Sequence, residues 1–495
     1  MTASTSPTGF RIEKDSLGPL EVPADAYYGV QTLRAVHNFP ISGMPMPAAF
    51  IRAQALLKKA AAITNHELQL LDEKRAQAIT QAADEIIASL LPLGNGKTAQ
   101  QSPARPHRGE LAEQFPIDIY QTGSGTSTNM NVNEVIASRA NEILGGQRGD
   151  KAPVHPNDHV NLGQSSNDTI PTALHVAALQ RIKAVLHPGL TRLEAALRKK
   201  QRETWDVIKT GRTHLQDATP IRMGQEFLGF AGQIERSRRR LRWAEEELAE
   251  VALGGTAVGT GINAHRQFAP RVCELVSQWC GIAVRESTNH FQAQATLDAA
   301  VLASGVLKTI AVSCTKIAND IRWLSCGPRA GFAEIEIPAV QPGSSIMPGK
   351  VNPVIAESLL MVGQRVIGND ATVTAAAVSG NFELVVALPV AAAALLESIE
   401  LLGKAVENFA VQCVDGLKAT SRGPELVERG LMLATALVPV IGYEAAAAIA
   451  KQAAAEGKTI REVAEVKTKL SAAQLEKLLD PATMVEPSPA PSQGG

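Results

Sequence analysis

The sequence predicts an all-α fold, and its composition and apolar periodicity are the two observations that support this. Hydrophobic residues make up 45% of the 495 residues but aromatic residues only 4%, so Ala, Leu, Val and Ile must fill the interior. Such an interior suits close helix packing better than wide sheets. A chain of this length buries a large core without disulfides or metals. We therefore expect long helices as the main structural element.

Apolar periodicity predicts where the long helices lie. Helical patterns run over 48–64 and 72–90. A heptad series of Phe227, Ile234, Leu241 and Leu248 predicts a helix of about thirty residues. Further patterns cover 303–324, 354–378 and 389–413. Long helices with a narrow apolar stripe need partners, so we expect a helical bundle in the core of a homo-oligomer.

The segments between the helices differ in composition from the helices themselves. Residues 91–115 combine Pro, Gly, Gln and charge without periodicity, which predicts an exposed loop or insertion. Residues 487–495 are predicted to be a disordered tail. The basic run 237–242 faces Glu245–Glu247 one turn later, which is typical of a solvated helix face.

Charge, cysteines and apolar runs exclude several classes of protein. Lys plus Arg total 48 against 49 Asp plus Glu, so no field of one sign is available to hold nucleic acid or a membrane surface. The 5 cysteines include no C-x-x-C pair, which argues against a disulfide framework, a zinc site or an iron–sulfur cluster. The longest apolar run, 384–396, is too short to span a bilayer. With no secretory or import pattern at the start, we expect a cytoplasmic protein.

Five polar segments interrupt the apolar rhythm and are dense in Gly, Ser, Thr and Asn. Several lead directly into helical patterns, where unpaired N–H groups and the helix dipole favour an anion. Helix capping alone could explain any one of them. Together with the isolated Lys350, they predict a shared site for an anionic small molecule. The segments are Thr122–Glu134, His155–Asp168, Gly211–Pro220, Gly254–Asn263 and Pro342–Pro353.

Nucleotide and metal sites fit these segments poorly. Gly343 and Gly349 are separated by five residues where a P-loop has four, and Val351 stands where its hydroxyl must be. The segment from Gly254 follows a helical pattern, whereas a dinucleotide fingerprint follows a strand. Pro156 argues against a regular helix that would bring His155 and His159 together on a metal. We expect neither a metal nor another cofactor.

The string GSSIMPGKVNP, with the other four segments in the same order, resembles the fumarase/aspartase superfamily and, within it, the class II fumarases. The resemblance implies a three-domain fold with a long central helical bundle, and a homotetramer with a twenty-helix core and active sites built from three subunits. We accordingly predict domains at 1–164, 165–421 and 422–486, before the tail. The implied reaction is reversible hydration of fumarate to (S)-malate through an aci-carboxylate, a step of the tricarboxylic acid cycle that needs no metal.

The resemblance also implies roles for individual residues. Ser344 is expected to be the base, with backbone N–H groups and Lys350 close to its oxygen. His214 is expected to handle the water, oriented by Glu357. The implied residues that bind the dicarboxylate substrate are Ser124, Gly125, Thr126, Ser165, Ser166, Asn167, Thr213, Ser345, Lys350 and Asn352.

A second dicarboxylate site is implied at the HPND string, through His155, Asn157 and Asp158. Its usual upstream arginine falls at Ala152, with Lys151 beside it. The chain also departs from the family after GNFEL, where Val385 and Leu388 replace polar residues.

Two other functions stay open as alternatives. Aspartate ammonia-lyases of the same superfamily carry glutamine at the position of His214 and valine at that of Thr219, which favours a fumarase. A non-catalytic helical assembly is the third interpretation. The presence of the four residues Ser344, Lys350, His214 and Glu357 argues against it.

Overall fold

The computed structural model describes residues 9–90 and 108–487, which are mainly helical. The helices up to residue 280 are α1 (Val30–Asn38), α2 (Ala48–Glu67), α3 (Glu73–Ser89), α4 (Arg108–Ala112), α5 (Thr126–Ile143), α6 (Ser166–Arg181), α7 (His187–Glu203), α8 (Met223–Leu248) and α9 (Phe268–Cys280). The later helices are α10 (His290–Ala295), α11 (Asp298–Leu324), α12 (Val354–Ala377), α13 (Leu388–Phe409), α14 (Arg422–Val427), α15 (Val438–Ile441), α16 (Tyr443–Glu456), α17 (Ile460–Lys467) and α18 (Ala472–Leu478). The all-α prediction is therefore confirmed.

The strands in the described ranges are short and pair only two at a time. They are β1 (Phe10–Asp15), β2 (Gly18–Pro23), β3 (Ile208–Thr213), β4 (Gln216–Arg222), β5 (Glu250–Val251), β6 (Arg285–Glu286), β7 (Ile335–Glu336), β8 (Gly380–Asn381), β9 (Leu384–Val385) and β10 (Lys418–Ala419). The pair β5–β6 is parallel, and the pairs β1–β2, β3–β4, β7–β10 and β8–β9 are antiparallel. These pairs are local additions to a helical fold.

The long helices lie where the apolar periodicity predicts them. In α8 the heptad residues Phe227, Ile234, Leu241 and Leu248 are all fully buried. Ser237 interrupts this row and is also buried, but its hydroxyl donates to the carbonyl of Gln233 at 2.8 Å. A polar side chain is tolerated at this position because its hydrogen bond is made within the helix.

The chain divides into two compact units, of which unit 1 comprises Met1–His187, Arg239–Thr309 and Gln364–Gly403. Helix α2 is the centre of unit 1 and packs against α3, α5, α6 and α9. Leu57, Ile79, Val135, Leu174 and Val276 are among the buried residues of these helices. Their small and aliphatic side chains allow the close packing that the composition predicts.

Unit 2 comprises Pro188–Arg238, Ile310–Gly363 and Lys404–Gly495. The β3–β4 hairpin packs against α14 and the 3₁₀ helix Leu431–Leu437. A carboxy-terminal apolar cluster includes Leu437, Ile449 and Val463. Arg238, from the basic run, forms an ion pair with Glu194 at 2.8 Å, as expected of a charged helix face.

Two predictions concern segments that are wholly or partly outside the described residues. Of the predicted insertion 91–115, residues 91–107 are not described and Arg108–Ala112 form α4. Of the predicted tail, 488–495 are not described.

Among the described helices, α11 alone is long and apolar enough to cross a membrane. Half of its most apolar 18-residue window is buried in the protein, as in a core helix.

Candidate active site

Two of the polar segments meet at neighbouring helix starts in unit 1. Thr126 and Ser166 are the first residues of α5 and α6. The Oγ atom of Ser124 lies 2.7 Å from Oγ1 of Thr126, which in turn lies 2.7 Å from Oγ of Ser166. Three hydroxyl groups and the positive ends of two helix dipoles are thus concentrated at one place. This arrangement suits a carboxylate.

Glycines are required in the TGSG string because the backbone there is crowded and turned. Gly125 has φ 73°, and a Cβ on it would lie 2.8 Å from Cγ2 of Ile170. A Cβ on Gly123 would lie 1.9 Å from the carbonyl oxygen of Val386. The carbonyl of Gly123 also accepts the N–H of Leu388 at 2.9 Å, so the departure at Leu388 leaves this backbone contact in place. Any larger residue at these glycines would displace the hydroxyl cluster.

The start of α6 is fixed by a capping box that also holds a third polar segment. Ser165 caps the helix and Asp168 completes the box. The fully buried carboxylate of Asp168 also accepts the N–H groups of Gly254 and Thr256 at 3.2 and 2.9 Å. The amide of Asn167 donates to the carbonyl of Ala257 at 2.8 Å. Burial raises the pKa of Asp168 to about 6, because desolvation outweighs these donors.

The Ser344 loop in unit 2 is closed on itself by one backbone and one side-chain hydrogen bond. The N–H of Gly343 donates to the carbonyl of Lys350 at 2.8 Å, and the Asn352 amide donates to the carbonyl of Gly343 at 2.7 Å. Inside the loop, the Ser344 Oγ atom accepts the N–H groups of Ile346 at 3.2 Å and Met347 at 3.0 Å. These two contacts are of the kind expected for Ser344, whose role as the base stays a prediction. Two donors stabilise a negative charge on the oxygen more than a neutral hydroxyl.

His214 lies at the tip of the β3–β4 hairpin in unit 2. Thr213 pairs with Gln216, so His214 and Leu215 form a two-residue turn. Their φ angles are 56° and 59°, the left-handed conformation that such a turn demands. Both side chains are exposed. The strained turn presents the imidazole to solvent away from the strands.

A cluster of buried charged side chains stabilises the β3–β4 hairpin. The fully buried carboxylate of Glu334 contacts the ammonium group of Lys209 at 3.1 Å and the guanidinium of Arg212 at 2.8 Å. Lys209 also pairs with Glu226 at 3.0 Å. Two cations and two carboxylates compensate one another, which a buried ionic cluster requires. Glu334 directly precedes β7, on the chain segment that continues to the Ser344 loop.

The remaining predicted catalytic residues are not joined within one chain. Lys350 is exposed, and Glu357 is half-buried in the first turn of α12. In the described part of the chain, no hydrogen bond or ion pair connects His214 with Glu357 or Lys350. Thr213 and Ser345 are also exposed. The predicted His214–Glu357 contact is therefore absent from an isolated chain.

The HPND string forms a single π-helical turn, Pro156–Val160, capped by His155. The Nδ1 atom of His155 accepts the N–H groups of Asn157 and Asp158, each at 3.2 Å. His159 accepts the N–H of His155 at 2.8 Å. Both rings are thus engaged with the backbone, and among the described residues no cluster of His, Cys, Asp or Glu suits a metal ion.

The sequence matches family models and whole relatives. Residues 98–368 match the model described as lyase, and residues 433–486 match the model described as the fumarase C carboxy terminus. The class II fumarate hydratase of Thermosynechococcus vestitus is 50% identical over 92% of this chain and 94% of its own length. The class II fumarate hydratase 2 of Bradyrhizobium diazoefficiens is 48% identical over 96% of this chain and 97% of its own length.

The chain belongs to the class II fumarate hydratase family. The resemblance carried by GSSIMPGKVNP is thereby confirmed over nearly the whole chain. A crystal structure titled as recombinant class II fumarase from Schistosoma mansoni is similar with a TM-score of 0.89 at 38% identity, covering 96% of this chain and 99% of that one. A structure titled as fumarate lyase:delta crystallin from Brucella melitensis bound to cobalt has a TM-score of 0.88 at 48% identity. The match covers 97% of this chain and 100% of that one.

In this member of the class II fumarate hydratase family, three buried residues receive no individual role from the sequence, although two of them lie within the polar segments Thr122–Glu134 and His155–Asp168. Lys58, Asn129 and Asp168 are buried behind the helix starts that carry Thr126 and Ser166. One signal was available for Lys58: it continues the buried stripe Ile51, Ala55, Ala62 and Asn65 of α2 at helical spacing. A lysine within an apolar stripe indicates a buried charge with a partner elsewhere in the fold.

Proposed function

We propose that this protein catalyses the reversible hydration of fumarate to (S)-malate. Membership of the class II fumarate hydratase family over nearly the whole chain is the observation that carries the reaction. The histidine at position 214, in place of the glutamine of aspartases, favours water over ammonia as the group added. The Ser344 oxygen with its two N–H donors supports the proton-transfer step.

In the proposed mechanism, Ser344 acts as the base in the direction from malate to fumarate. A serine hydroxyl is a poor base in water, but two backbone N–H groups stabilise its alkoxide. Loss of the hydroxyl proton to solvent gives the alkoxide. The alkoxide then takes a proton from the carbon next to a carboxylate, which leaves an aci-carboxylate with a doubled negative charge. His214 then donates a proton to the departing hydroxyl group, and water leaves. Lys350 and Glu357 are proposed to assist Ser344 and His214 respectively.

The substrate carboxylates are proposed to bind at the helix starts and at the Ser344 loop. The hydroxyl cluster of Ser124, Thr126 and Ser166 supports one binding position. The other proposed binding residues are Gly125, Ser165, Asn167, Thr213, Ser345, Lys350 and Asn352. Uncharged donors together with one ammonium group suffice for a small dicarboxylate.

We also propose that the protein is a homotetramer whose active sites combine segments of different subunits. Two observations support this: the His214–Glu357 contact is missing from one chain, and large apolar side chains on the long helices are exposed. A patch of such side chains normally marks an interface. They include Leu228, Trp243, Val312, Trp323, Met361 and Ile367. We also propose the three domains predicted from the sequence, at 1–164, 165–421 and 422–486. The cytoplasmic location is likewise a proposal.

The second dicarboxylate site at His155, Asn157 and Asp158 is proposed as a weaker one. The ammonium group of Lys151 donates to the carbonyl of Lys14 at 3.0 Å, so this cation is already engaged. The N–H groups of the turn are directed at the His155 ring. We therefore expect weaker dicarboxylate binding here than at the main site.

An assay of fumarate and aspartate side by side tests the function. Purified protein in buffer with a chelator should remove the absorbance of fumarate and form malate. Ser344→Ala should lose this activity, whereas Ser421→Ala, an exposed serine on another segment, should retain it. Release of ammonia from aspartate faster than dehydration of malate would establish an aspartate ammonia-lyase. Turnover of no four-carbon acid would favour the non-catalytic assembly.

A further inference from the structure

A fully buried lysine lies behind the helix starts of unit 1. The ammonium group of Lys58 donates to Oδ1 of Asn129 at 2.8 Å, Oδ1 of Asn161 at 2.9 Å and Oε1 of Gln164 at 2.9 Å. All three acceptors are neutral amides. Within the described ranges, no carboxylate lies at ion-pair distance from this ammonium group. A buried cation without a carboxylate in contact is costly, so its presence needs a reason.

The acceptors of Lys58 belong to the two segments that form the hydroxyl cluster. Asn129 lies in the first turn of α5, three residues after Thr126, and Gln164 directly precedes Ser165. The Oδ1 atom of Asn129 also accepts the hydroxyl of Thr169, in α6, at 3.3 Å. One ammonium group therefore holds the start of α5 and the start of α6 together. Their relative position decides whether Thr126 and Ser166 can bind one ligand.

The positive charge of Lys58 is only partly matched. Asp168 on α6 is the charged group that acts on it, but its carboxylate accepts backbone N–H groups instead. Burial lowers the pKa of Lys58 to about 7, and the Asp168 charge opposes this shift. In a medium of low dielectric constant, the charge of Lys58 acts strongly on any anion placed at the helix starts.

We propose that Lys58 is a positioning residue that fixes the two helix starts and supplies a buried positive charge that favours dicarboxylates over monocarboxylates. The proposal depends on the proposed function for the chemical class of the ligand. A ligand of charge −2 gains more Coulomb energy from this cation than a ligand of charge −1, because its second carboxylate is also attracted, although more weakly since it lies farther from Lys58. A lysine that only maintained the fold would affect both ligands alike.

Two variants cancel the charge of Lys58, one by deleting the ammonium group and one by pairing it with a carboxylate. Lys58→Met keeps an unbranched side chain of similar length and deletes the ammonium group. Asn129→Asp leaves Lys58 in place and puts a carboxylate 2.8 Å from its Nζ atom with almost no change in volume. The control is Lys59→Met, which deletes the next lysine of α2, whose ammonium group pairs with Asp84. If Lys58→Met fails to fold, Asn129→Asp still tests the proposal.

The measurement is made below pH 7, because burial lowers the pKa of Lys58 to about 7 and the ammonium group must be charged. It compares the inhibition of fumarate hydration by succinate and by butyrate, which have the same number of carbons but carry two carboxylates and one carboxylate respectively. In both variants, we expect the inhibition constant of succinate and the KM of fumarate to rise about tenfold. The inhibition constant of butyrate should rise only about threefold. The kcat should stay within about threefold of wild type, and Lys59→Met should change none of these values.

Equal weakening of succinate and butyrate, or no weakening of either, would overturn the proposal. A fall in kcat at unchanged KM would overturn it as well. Failure of the proposed function has a different signature, because wild-type protein would then not hydrate fumarate. In that case, calorimetric binding of succinate and butyrate to wild type, Asn129→Asp and Lys59→Met still tests the charge preference.

Discussion

His214 occupies a backbone conformation that decides how it can be tested. Its φ of 56° is unfavourable for most side chains, but asparagine tolerates it well. His214→Asn therefore removes the imidazole and preserves the turn. We expect kcat for fumarate hydration to fall about 10²-fold or more, because the proton donor to the hydroxyl is lost.

Steady-state kinetics with fumarate check this prediction. His37→Asn replaces an exposed histidine at the end of α1 and is the control. An unchanged circular dichroism spectrum should accompany the loss of activity. If His214→Asn kept more than half of the wild-type kcat, the role assigned to His214 would be wrong.

Lys58 should make the stability of the protein depend on pH. Burial lowers the pKa of Lys58 from 10.5 to about 7, so between these values the unfolded chain binds a proton that the folded chain does not. Stability therefore rises with pH across this window, by at most about 1.4 kcal/mol per pH unit. Asp168, whose pKa is raised to about 6, titrates below the window.

Thermal melting from about pH 7 to pH 9.5 measures this effect. We expect the melting temperature of wild type to rise relative to that of Lys58→Met as the pH increases. Lys59→Met should follow the wild-type curve, since its ion pair with Asp84 is partly exposed. Parallel curves for wild type and Lys58→Met would contradict the burial of a titrating lysine.

The β3–β4 hairpin is the element most dependent on buried charge. Glu334→Gln would leave Lys209 and Arg212 without their shared carboxylate. Breaking a buried ion pair from one side typically costs about 3–5 kcal/mol. We therefore expect a clearly lower midpoint of urea unfolding, together with weaker activity because the His214 turn is displaced.

The matched control for the hairpin is Glu274→Gln. Its carboxylate pairs with Arg271 on the surface of α9, so its removal should change the unfolding midpoint little. An equal effect of Glu274→Gln and Glu334→Gln would show that the buried cluster does not hold the hairpin.

The sequence predicted helices better than it predicted this hairpin. Helices α2 and α12 begin at the predicted residues Ala48 and Val354, because a long apolar stripe is a repeated signal. In β3, by contrast, Lys209, Thr210 and Gly211 are all buried, so the alternation that marks a half-buried strand is missing. The pattern over Gly211–Pro220 therefore indicates a polar segment and gives no sign of a strand.

At the scale of the whole molecule, the sequence predicted the family and the hydroxyl groups that meet at the two helix starts, but not the contacts behind them. Hydroxyl residues at helix starts are visible as a local pattern, and the Ser124–Thr126–Ser166 cluster follows from it. The acceptors of Lys58 are at least 71 residues away in the sequence. Such distant partners depend on tertiary packing, which periodicity does not encode.

We propose that Ser344 and His214, contributed by different copies of this chain, complete one fumarate-hydrating site. Mixing Ser344→Ala and His214→Asn subunits, after reversible dissociation, tests it directly. We expect each variant alone to be inactive and random hybrids to regain about a quarter of wild-type activity, since that fraction of sites receives both intact residues. If the hybrids assembled but stayed as inactive as the separate variants, the claim would be contradicted.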